Sequence, residues 1–339
     1  MKTFFLLSGE NPALSAAELT HLLSVFGQAR SVTLVDERIA VSDVEASEAR
    51  EVVYRAAYAK LAALLLGKGV SVDDLVFEPG WEETVQRFGS FDVLVYELGG
   101  ADVDSVSVEK RIAAQVLEKV KGVRVDLSNP DVSFVVLVSE KVCVAGLALA
   151  LKPKKFFADR KAGLRPFKIP SALQPKLARC LVNLAVNTKD SRVLDPFAGS
   201  GAVVIEAGLM GHEAFGVEVK TWVANGMRLN TCSYAPSKTH VIQGDAKRLP
   251  FTKAFDSVAT DPPYGRSATL GGMPFKKLLK QFCDSVVSVL DDKARMAITV
   301  PKQLFPDLLE ECGVFKLVEH YDLYVHKSLT RRVSVMVLD

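Results

Sequence analysis

The chain is poor in cysteine, and the cysteines that it has are widely spaced. Among its 339 residues there are five, with no Cys-x-x-Cys pair and no neighbouring group of histidines. Because zinc sites are built from closely spaced pairs of such ligands, the sequence predicts no metal site. We expect buried thiols in a reducing, cytoplasmic compartment, where disulfides are rare. The five are Cys143, Cys180, Cys232, Cys283 and Cys312.

Long apolar runs and a large net charge are missing as well. No apolar run approaches the roughly 18 residues that a membrane-spanning helix needs. Glu10 and Asn11 follow the short apolar start of the chain at once, so we expect a first strand there and not a secretory signal. The formal net charge is only +2, and binding to a polyanion therefore has to come from local clusters of basic residues.

What the sequence does contain is a series of strand and helix patterns that predicts three folded parts. Residues 1–66 have the order strand, helix, strand, strand, helix, strand, which indicates a ferredoxin-like domain. Residues 67–151 add a strand, an amphipathic helix and a hairpin of two apolar strands. Residues 171–339 alternate strands with helices, as in a Rossmann-like, doubly wound sheet. The predicted fold class is α/β, with a C-terminal Rossmann-like sheet after two α+β domains.

Residues 152–170 differ in composition from both neighbours and are predicted to form a basic linker. Asp159 is the only acid between positions 152 and 168, and three phenylalanines are interleaved with the basic residues. Lysine and arginine side chains release counterions from phosphates, so we expect some of these charges to contact RNA. Aromatic rings can stack on unpaired bases, but we expect these phenylalanines mainly to pack on the neighbouring domain. A solvated linker is the alternative. The residues predicted to bind RNA are Lys152, Lys154, Lys155, Arg160, Lys161, Arg165 and Lys168.

A glycine-rich turn follows the first predicted strand of the Rossmann-like part. Asp195 ends the strand, and Gly199 and Gly201 precede a helix predicted over Ala202–Met210. The glycines allow positive φ and a close approach of a ligand to the backbone. Val204 stands where a dinucleotide-binding motif would have a third glycine. The carboxylate of Asp195 disfavours a pyrophosphate and favours an ammonium, so the turn predicts a zwitterionic or cationic cofactor.

Three more acids stand at the ends of the next predicted strands. Glu218 ends the second strand, where a carboxylate can accept hydrogen bonds from both hydroxyls of a ribose. Asp245 follows the third strand and could accept from an adenine amino group, and Asp261 follows the fourth, Phe255–Thr260. A single acid of this kind is more often a helix cap or a surface residue. Successive parallel strands end at one edge of the sheet, however, and the series therefore indicates a ligand site.

The fourth strand leads into the turn Asp261-Pro262-Pro263-Tyr264. Each proline fixes φ and removes a backbone donor, so the turn is rigid and its carbonyls act as acceptors. A carboxylate and a carbonyl beside an aromatic ring suit a planar group that bears an NH2, because the oxygens accept its N–H bonds while the ring stacks. Asp-Pro is also common in ordinary turns, and a capping aspartate is the structural alternative.

These motifs together resemble those of the class I S-adenosylmethionine-dependent methyltransferases. The run from Asp195 to Gly201, Asp-Pro-Phe-Ala-Gly-Ser-Gly, is similar to their cofactor turn. Asp-Pro-Pro-Tyr resembles the catalytic loop of the members that methylate exocyclic amino nitrogens. The Asn129-Pro130-Asp131 turn, followed by the apolar hairpin and by Ala145-Gly146, resembles the THUMP domain of RNA-modifying enzymes.

Over its whole length the chain is similar to the archaeal tRNA (guanine-10, N2) methyltransferases. Further motifs of that family are Arg165-Pro166-Phe167, Pro175–Arg179 and the continuation of the catalytic loop through Gly265-Arg266-Ser267. Ile169 precedes Pro170 where family members often have a histidine, so this position is given no role. The resemblance implies that the THUMP domain binds the acceptor end of tRNA.

The resemblance implies transfer of one or two methyl groups from S-adenosyl-L-methionine to the N2 amine of a guanosine. The Asp261 side chain and the Pro262 carbonyl would accept hydrogen bonds from the two N–H groups of the amine, and Tyr264 would stack on a base taken out of its helix. Catalysis would then depend mostly on positioning and electrostatics. The residues predicted to bind the cofactor are Asp195, Phe197, Gly199, Gly201, Glu218, Asp245, Ala246 and Asp261.

A protein partner is implied at one edge of the predicted sheet. The third strand, His240–Gln243, lies at an open edge in the usual methyltransferase strand order. An edge strand with apolar side chains and no Lys or Pro is unprotected against pairing with another chain. Related methyltransferases bind a small zinc-containing activator protein along this kind of edge. Coverage by the chain's own termini or loops is the alternative.

Three other functions remain open from the sequence. A THUMP enzyme that acts on guanosine 6 of tRNA would share nearly every motif, although that family more often has Asn at the position of Asp261. A DNA amino-methyltransferase also uses Asp-Pro-Pro-Tyr, but residues 1–151 show no DNA-reading pattern. A non-catalytic RNA-binding subunit would not need the glycine turn from Asp195 to Gly201.

Overall fold

The structure is a computed structural model that describes residues 2–27, 31–264 and 273–338. Gly265, Arg266 and Ser267, which continue the predicted catalytic loop, lie outside the described residues. The chain divides into two compact units. The N-terminal unit contains Met1–Tyr54 and Tyr58–Pro153, and the C-terminal unit contains Arg55–Ala57 and Lys154–Asp339.

The N-terminal unit is built on one mixed sheet with the strand order β2-β3-β1-β4-β9-β8-β6-β7, and β5 pairs with β4. The strands are β1 (Lys2–Leu7), β2 (Val32–Asp36), β3 (Ile39–Asp43), β4 (Ala59–Gly69), β5 (Val76–Phe77), β6 (Ser90–Glu97), β7 (Arg124–Val125), β8 (Val132–Val138) and β9 (Cys143–Leu151). The helices are α1 (Pro12–Phe26), α2 (Ala46–Arg55), α3 (Trp81–Val85) and α4 (Ser105–Lys119).

The sequence patterns of the N-terminal half predicted most of these elements, but not α3 or the two-residue strands β5 and β7. The order from β1 to β4 and the β8–β9 hairpin are as expected from the sequence. What the sequence did not predict is that β4 pairs antiparallel with β9. The two predicted α+β domains therefore contribute strands to a single continuous sheet.

The C-terminal unit has a seven-stranded sheet in the order β12-β11-β10-β13-β14-β16-β15. The strands are β10 (Arg192–Asp195), β11 (Glu213–Glu218), β12 (Thr239–Gln243), β13 (Phe255–Thr260), β14 (Leu290–Pro301), β15 (Phe315–His326) and β16 (Leu329–Leu338). The helices are α5 (Pro175–Ala185), α6 (Ala202–Leu209), α7 (Thr221–Tyr234), α8 (Phe275–Val287) and α9 (Phe305–Glu311).

The topology of this sheet places a ligand crevice next to β10. The strands from β12 to β14 are parallel, and β16 lies antiparallel between β14 and β15. The chain runs outward from β10 to β12 and then returns to the other side of β10 as β13. In sheets of this type, ligands bind at the carboxyl ends of the strands where the order reverses. β12 is an edge strand, as predicted.

The prediction for the cysteines was wrong in two respects. Cys283, on α8, forms a disulfide with Cys312, which follows α9, and Cys232 is exposed. Cys143 and Cys180 are buried thiols, as expected. Spacing could not predict the bridge, because the two cysteines are 29 positions apart and only the packing of α8 against α9 brings their Cα atoms to 5.5 Å. Within the part of the chain that the structure describes, no helix is both long and apolar enough to cross a membrane.

A buried ion cluster anchors the linker to the C-terminal unit. Glu206, on α6, is 1% exposed. Its carboxylate accepts hydrogen bonds from Arg160 Nε at 2.6 Å and from Arg179 Nε at 2.7 Å. Both guanidinium groups also lie near the rings of Phe156 and Phe157, at 4.9–5.6 Å from the ring centroids. The cluster thus joins the linker to α5 and α6, and the phenylalanines pack as predicted.

Replacement of Glu206 should destabilise the C-terminal unit strongly. Glu206→Ala leaves two buried cations without their carboxylate, and breaking a buried pair in this way costs about 3–5 kcal/mol. The measurement is chemical denaturation of the full chain. Glu310 is the matched control, because it pairs with Lys276 while its side chain is 64% exposed, and loss of a surface pair changes stability by about 0–1 kcal/mol. Equal effects of the two substitutions would contradict the anchoring role of Glu206.

Candidate active site

A cavity of about 590 Å³ opens at the carboxyl ends of β10, β11 and β13. Its volume lies within the range of about 300–1,000 Å³ that is common for small-molecule sites. The wall includes the turn after β10, the ends of β11 and β13, the loop after β12, part of the linker and residues of the β15–β16 hairpin. Of the predicted cofactor-binding residues, those on the wall are Asp195, Phe197, Gly199, Glu218, Asp245, Ala246 and Asp261.

Asp195 is held at the end of β10 by its neighbours. It is 3% exposed, and its Oδ1 accepts hydrogen bonds from Thr260 Oγ1 at 2.7 Å and from the Phe197 N–H at 3.2 Å. Since Thr260 ends β13, this bond links the strand ends that carry Asp195 and Asp261. Burial raises the pKa of Asp195 to about 7, the two hydrogen bonds lower it, and the nearby carboxylates of Asp261 and Glu218 raise it further. A cation in the cavity would favour the ionised form.

The glycine turn shapes the cavity in two different ways. Gly199 lies on the cavity wall with φ at +51°. Gly201, in contrast, is not a wall residue. It directly precedes α6 with φ at +88°, and a Cβ there would lie 2.8 Å from Met227 Cγ. Gly201 therefore allows the backbone to adopt a positive φ behind the turn, where a residue with a side chain would be strained.

Glu218 and Asp245 differ in how they are already engaged. Glu218 Oε1 accepts a hydrogen bond from the Lys220 N–H at 2.9 Å. Asp245 accepts from the Lys247 N–H at 3.0 Å and pairs with the Lys247 ammonium at 3.2 Å. The Gly244 N–H donates to the Glu218 carbonyl at 3.0 Å, so the two strand ends are bonded to each other. Both carboxylates remain on the cavity wall and can accept further hydrogen bonds.

Asp261 is largely buried, and one of its two carboxylate oxygens already lies next to a cation. Its Oδ2 lies 3.3 Å from Arg331 Nη2, and its side chain is 15% exposed. Its Oδ1 is buried and has no hydrogen-bond partner among the described residues. Burial raises the pKa of Asp261 to about 6, and the charge of Arg331 lowers it. A buried acceptor without a donor costs free energy, so this oxygen is suited to receive an N–H of a ligand.

The rest of the Asp-Pro-Pro-Tyr turn completes this end of the cavity. Pro262, Pro263 and Tyr264 all line the wall. Burial raises the pKa of Tyr264 to about 12, and the charge of Asp261 raises it too. The side chain therefore stays a neutral phenol near neutral pH and presents an aromatic face with a polar end.

The linker forms a wall that the sequence did not predict as part of the site. Residues from Ile169 to Leu173 line the cavity. Asn230, on α7, holds this segment against the glycine turn. Its side-chain oxygen accepts a hydrogen bond from the Phe167 N–H at 2.8 Å, and its side-chain nitrogen donates to the carbonyls of Phe167 and Ser200 at 3.0 and 2.9 Å. The family motif Arg165-Pro166-Phe167 lies in the linker, but it does not by itself indicate this role, because the role depends on which surface the segment packs against.

Two of the residues predicted to bind RNA lie in the interior, and the prediction for them was wrong. Arg160 is 6% exposed and Arg165 is 2% exposed. Arg160 pairs with Glu206, and Arg165 donates to the carbonyls of Arg160 and Leu173, each at 3.2 Å. They are buried because acceptors deep in the unit need them, which a count of basic residues cannot reveal. Lys154, Lys155, Lys161 and Lys168 are exposed and Lys152 is half-buried.

The hairpin contributes cavity residues that sequence reasoning missed altogether. His326 ends β15, and Leu329 and Arg331 belong to β16; all three line the wall. The guanidinium carbon of Arg331 also lies 5.8 Å from the centroid of the Tyr264 ring. Arginines in a strand at the end of the chain are ordinary surface residues by pattern, and only the antiparallel insertion of β16 beside β14 brings this one to Asp261.

Both units match known families. Residues 162–332 match the family described as RMKL-like, methyltransferase domain, and residues 72–147 match the THUMP domain. The crystal structure of TrmN from Thermus thermophilus has a similar fold, with a TM-score of 0.57 at 22% identity over 100% of both chains.

Two curated relatives carry the same name. The tRNA (guanine(10)-N2)-dimethyltransferase of Methanothermobacter thermautotrophicus is 34% identical over 340 residues, which cover 99% of this chain and 99% of that protein. The one from Pyrococcus abyssi is 35% identical over 293 residues, 84% of this chain and 86% of that protein. Residues 162–332 make up half of the sequence, and the THUMP match and the Methanothermobacter relative extend the similarity to the N-terminal half; the chain therefore belongs to the RMKL-like methyltransferase family, among its THUMP-containing members.

Proposed function

We propose that this protein methylates the exocyclic N2 amine of guanosine 10 in tRNA, once or twice, with S-adenosyl-L-methionine as the methyl donor. The observation that carries the proposal is the buried Oδ1 of Asp261, which has no hydrogen-bond partner among the described residues. This acceptor lies with Tyr264 on the wall of the crevice where the strand order reverses. The names of the full-length relatives support tRNA guanosine 10 as the target.

The residues of the cavity fit the chemistry of S-adenosyl-L-methionine. The buried Asp195 carboxylate suits its ammonium, Glu218 suits the ribose hydroxyls and Asp245 suits the adenine amino group. Phe197, Gly199 and Ala246 line the space between these acids. We assign all six to cofactor binding, together with Asp261 at the far end. Gly201 contributes through the shape of the turn.

The reaction consists of positioning a weak nucleophile. When bound, the cofactor supplies a methyl group on a positively charged sulfur. The lone pair of guanine N2 is delocalised into the ring, which makes the amine a weak nucleophile. The Asp261 side chain and the Pro262 carbonyl accept hydrogen bonds from its two N–H groups, so that the nitrogen becomes pyramidal. The new N–C bond forms as the S–C bond breaks, the bonding electrons stay on sulfur, and Asp261 or water takes the N2 proton. Tyr264 holds the plane of the base by stacking.

The remaining parts of the chain are assigned to tRNA. We propose that the ferredoxin-like part (1–66) and the THUMP domain (67–151) bind tRNA, that the basic linker (152–170) contacts its backbone, and that the Rossmann-like domain (171–339) carries out the reaction. The match to a THUMP domain supports the second assignment. Arg160 and Arg165 are excluded from RNA contact by their burial, which leaves the lysines.

Two predictions from the sequence have no support beyond it. The small zinc-containing partner at His240–Gln243 is compatible with β12 as an edge strand, but none of the similar proteins named above supports it. The cytoplasmic location likewise remains a prediction.

Cofactor affinity should fall as the pH falls through 7. The pKa of Asp195 is raised to about 7, and its carboxylate is the form that pairs with an ammonium. Binding is therefore full above that pKa and is lost below it, by about tenfold per pH unit at the limit. Calorimetry of the full chain should give affinity at least ~10-fold weaker at pH 5.5 than at pH 7.5. Asp195→Asn should bind weakly at both pH values, whereas Glu218→Gln should bind more weakly but keep the pH dependence. A pH dependence as large as that of the wild-type chain in Asp195→Asn would remove Asp195 from this role.

Asp261→Ala should abolish methyl transfer and leave tRNA binding intact. The methyl side chain has no oxygen, so it cannot accept the hydrogen bond from the N–H group that activates the amine. The wild-type chain should convert guanosine 10 of an unmodified tRNA transcript to N2-methylguanosine and N2,N2-dimethylguanosine, measured by nucleoside mass analysis after fragment mapping. The variant should give at least ~100-fold less product, as expected for loss of a catalytic group.

The controls for this experiment separate the alternatives. Affinity for tRNA should be unchanged in Asp261→Ala, and parallel loss of tRNA binding would make Asp261 structural. Transcripts in which guanosine 10 or guanosine 6 is replaced by adenosine decide the position. Product that survives replacement of guanosine 10 and disappears with guanosine 6 would favour the alternative target.

Neutralising the exposed linker lysines should lower both tRNA affinity and its salt dependence. The variant carries Gln at Lys154, Lys155, Lys161 and Lys168. Each phosphate that the protein no longer neutralises reduces the slope of log affinity against log salt by roughly 0.7–0.9, so removal of all four charges reduces it by about 3. The matched control carries Gln at four other lysines of the C-terminal unit, Lys238, Lys253, Lys277 and Lys316. An unchanged slope in the linker variant would rule out phosphate binding by these lysines.

A further inference from the structure

Arg331 is placed where it acts on the reactive carboxylate without being part of any recognised motif. It lies on β16, opposite Pro301 of β14 and Leu323 of β15. A residue paired on both sides in a sheet has a fixed backbone, so its side chain starts from a defined position. Its side chain is 17% exposed and lies 3.3 Å from Asp261 Oδ2.

Among the described residues, the guanidinium group of Arg331 contacts one of the two carboxylate oxygens of Asp261 and not the other. Only one oxygen of Asp261 meets the guanidinium group, while Oδ1 is buried and without a partner among the residues described. Arg331 Nε is likewise buried and has no partner in the described part of the chain. An arginine that served only to neutralise a carboxylate would favour the two-pronged geometry, which pairs both oxygens. Here the geometry fixes one oxygen and leaves the other to a ligand.

We infer that Arg331 is a positioning residue for the methyl transfer: it holds Asp261 ionised and orients it so that Oδ1 is available to accept an N–H of the target amine. The inference rests on the proposed function of Asp261. Arg331 itself touches neither reacting atom in this scheme, and its effect passes through the carboxylate.

The positioning role of Arg331 can be measured through the charge state of Asp261. Burial raises its pKa to about 6, and Arg331 opposes that rise. The other ionisable groups on the same cavity wall are Asp195, Glu218, Lys220, Asp245, Lys247, Tyr264 and His326. Because burial disfavours the charged form, the Asp261 carboxylate without Arg331 would be protonated at a higher pH. Loss of an opposite charge at this distance raises a carboxyl pKa by about 1–3 units.

The neighbouring residue on the same strand offers a matched control. Arg332 pairs with Asp322 through two bonds of 2.7 and 3.0 Å, and its guanidinium carbon lies 4.5 Å from the centroid of the Phe305 ring. Successive residues of a strand point to opposite faces. Arg332→Gln therefore removes the same charge from the same strand without touching Asp261.

The first test does not depend on activity. The full chain is labelled with ¹³C at the aspartate carboxyl groups, the Asp261 and Asp195 signals are assigned from Asp261→Asn and Asp195→Asn, and both are titrated by NMR. Arg331→Gln should raise the Asp261 pKa by at least one unit, Arg331→Lys should raise it less, and Arg332→Gln should leave it unchanged. An unchanged Asp261 pKa in Arg331→Gln overturns the inference. If Arg331→Gln does not fold, the shift in Arg331→Lys decides in the same way.

The second test measures the rate of methyl transfer to tRNA in a single turnover against pH. In Arg331→Gln the acid limb should move upward by the same amount as the Asp261 pKa, with the rate at high pH within about tenfold of wild type. A uniform loss of rate at every pH, with an unmoved limb, would mean that Arg331 is merely structural and would overturn the inference. Absence of methyl transfer by the wild-type chain would reject the proposed function instead, and the NMR titration would still decide whether Arg331 controls Asp261.

Discussion

The buried carboxylate of Glu206 is the interaction on which the architecture of the site depends. Two arginines meet it, Arg160 from the linker and Arg179 from α5, and all three side chains are nearly inaccessible. Charges buried together in this way are costly to separate, because each would lose an opposite charge in a medium of low polarity. The linker is thereby fixed against α6, the helix that begins at the glycine turn.

Fixing the linker has a consequence for the cavity. Once Arg160 is anchored, Arg165 reaches the carbonyl of Leu173, and Asn230 holds Phe167 beside the carbonyl of Ser200. The ring of Phe167 lies so close to α7 that a Cβ at Gly226 would come within 2.3 Å of it, which explains a glycine inside a helix. A segment that looks like a flexible connection is therefore a packed wall of the site.

The electrostatics of the site follow from the burial of acids at two adjacent strand ends. Asp195 and Asp261 lie on adjacent strand ends, and both have pKa values raised mainly by burial, to about 7 and about 6. Two carboxylates near one another in a buried crevice are destabilised as a pair, and a cationic ligand relieves this cost. The cavity therefore favours a positively charged ligand. Arg331 offsets the cost at Asp261, whose Oδ1 still has no donor among the described residues.

The sequence by itself determined the elements and most of the acids, whereas tertiary structure decided which charges are available. Apolar periodicity and turn residues act locally, so the strands that end at Asp195, Glu218 and Asp261, and the turns after them, could be predicted from neighbouring residues. Parallel topology then brings those ends to one edge. Burial, in contrast, depends on contacts distant in the chain: Arg160 and Arg165 have the same composition signal as the exposed lysines beside them, yet Glu206 and the carbonyls draw them inside. The Cys283–Cys312 bridge, the pairing of β4 with β9 and the meeting of Arg331 with Asp261 are likewise long-range contacts. No local pattern encodes them, because each results from how whole elements pack.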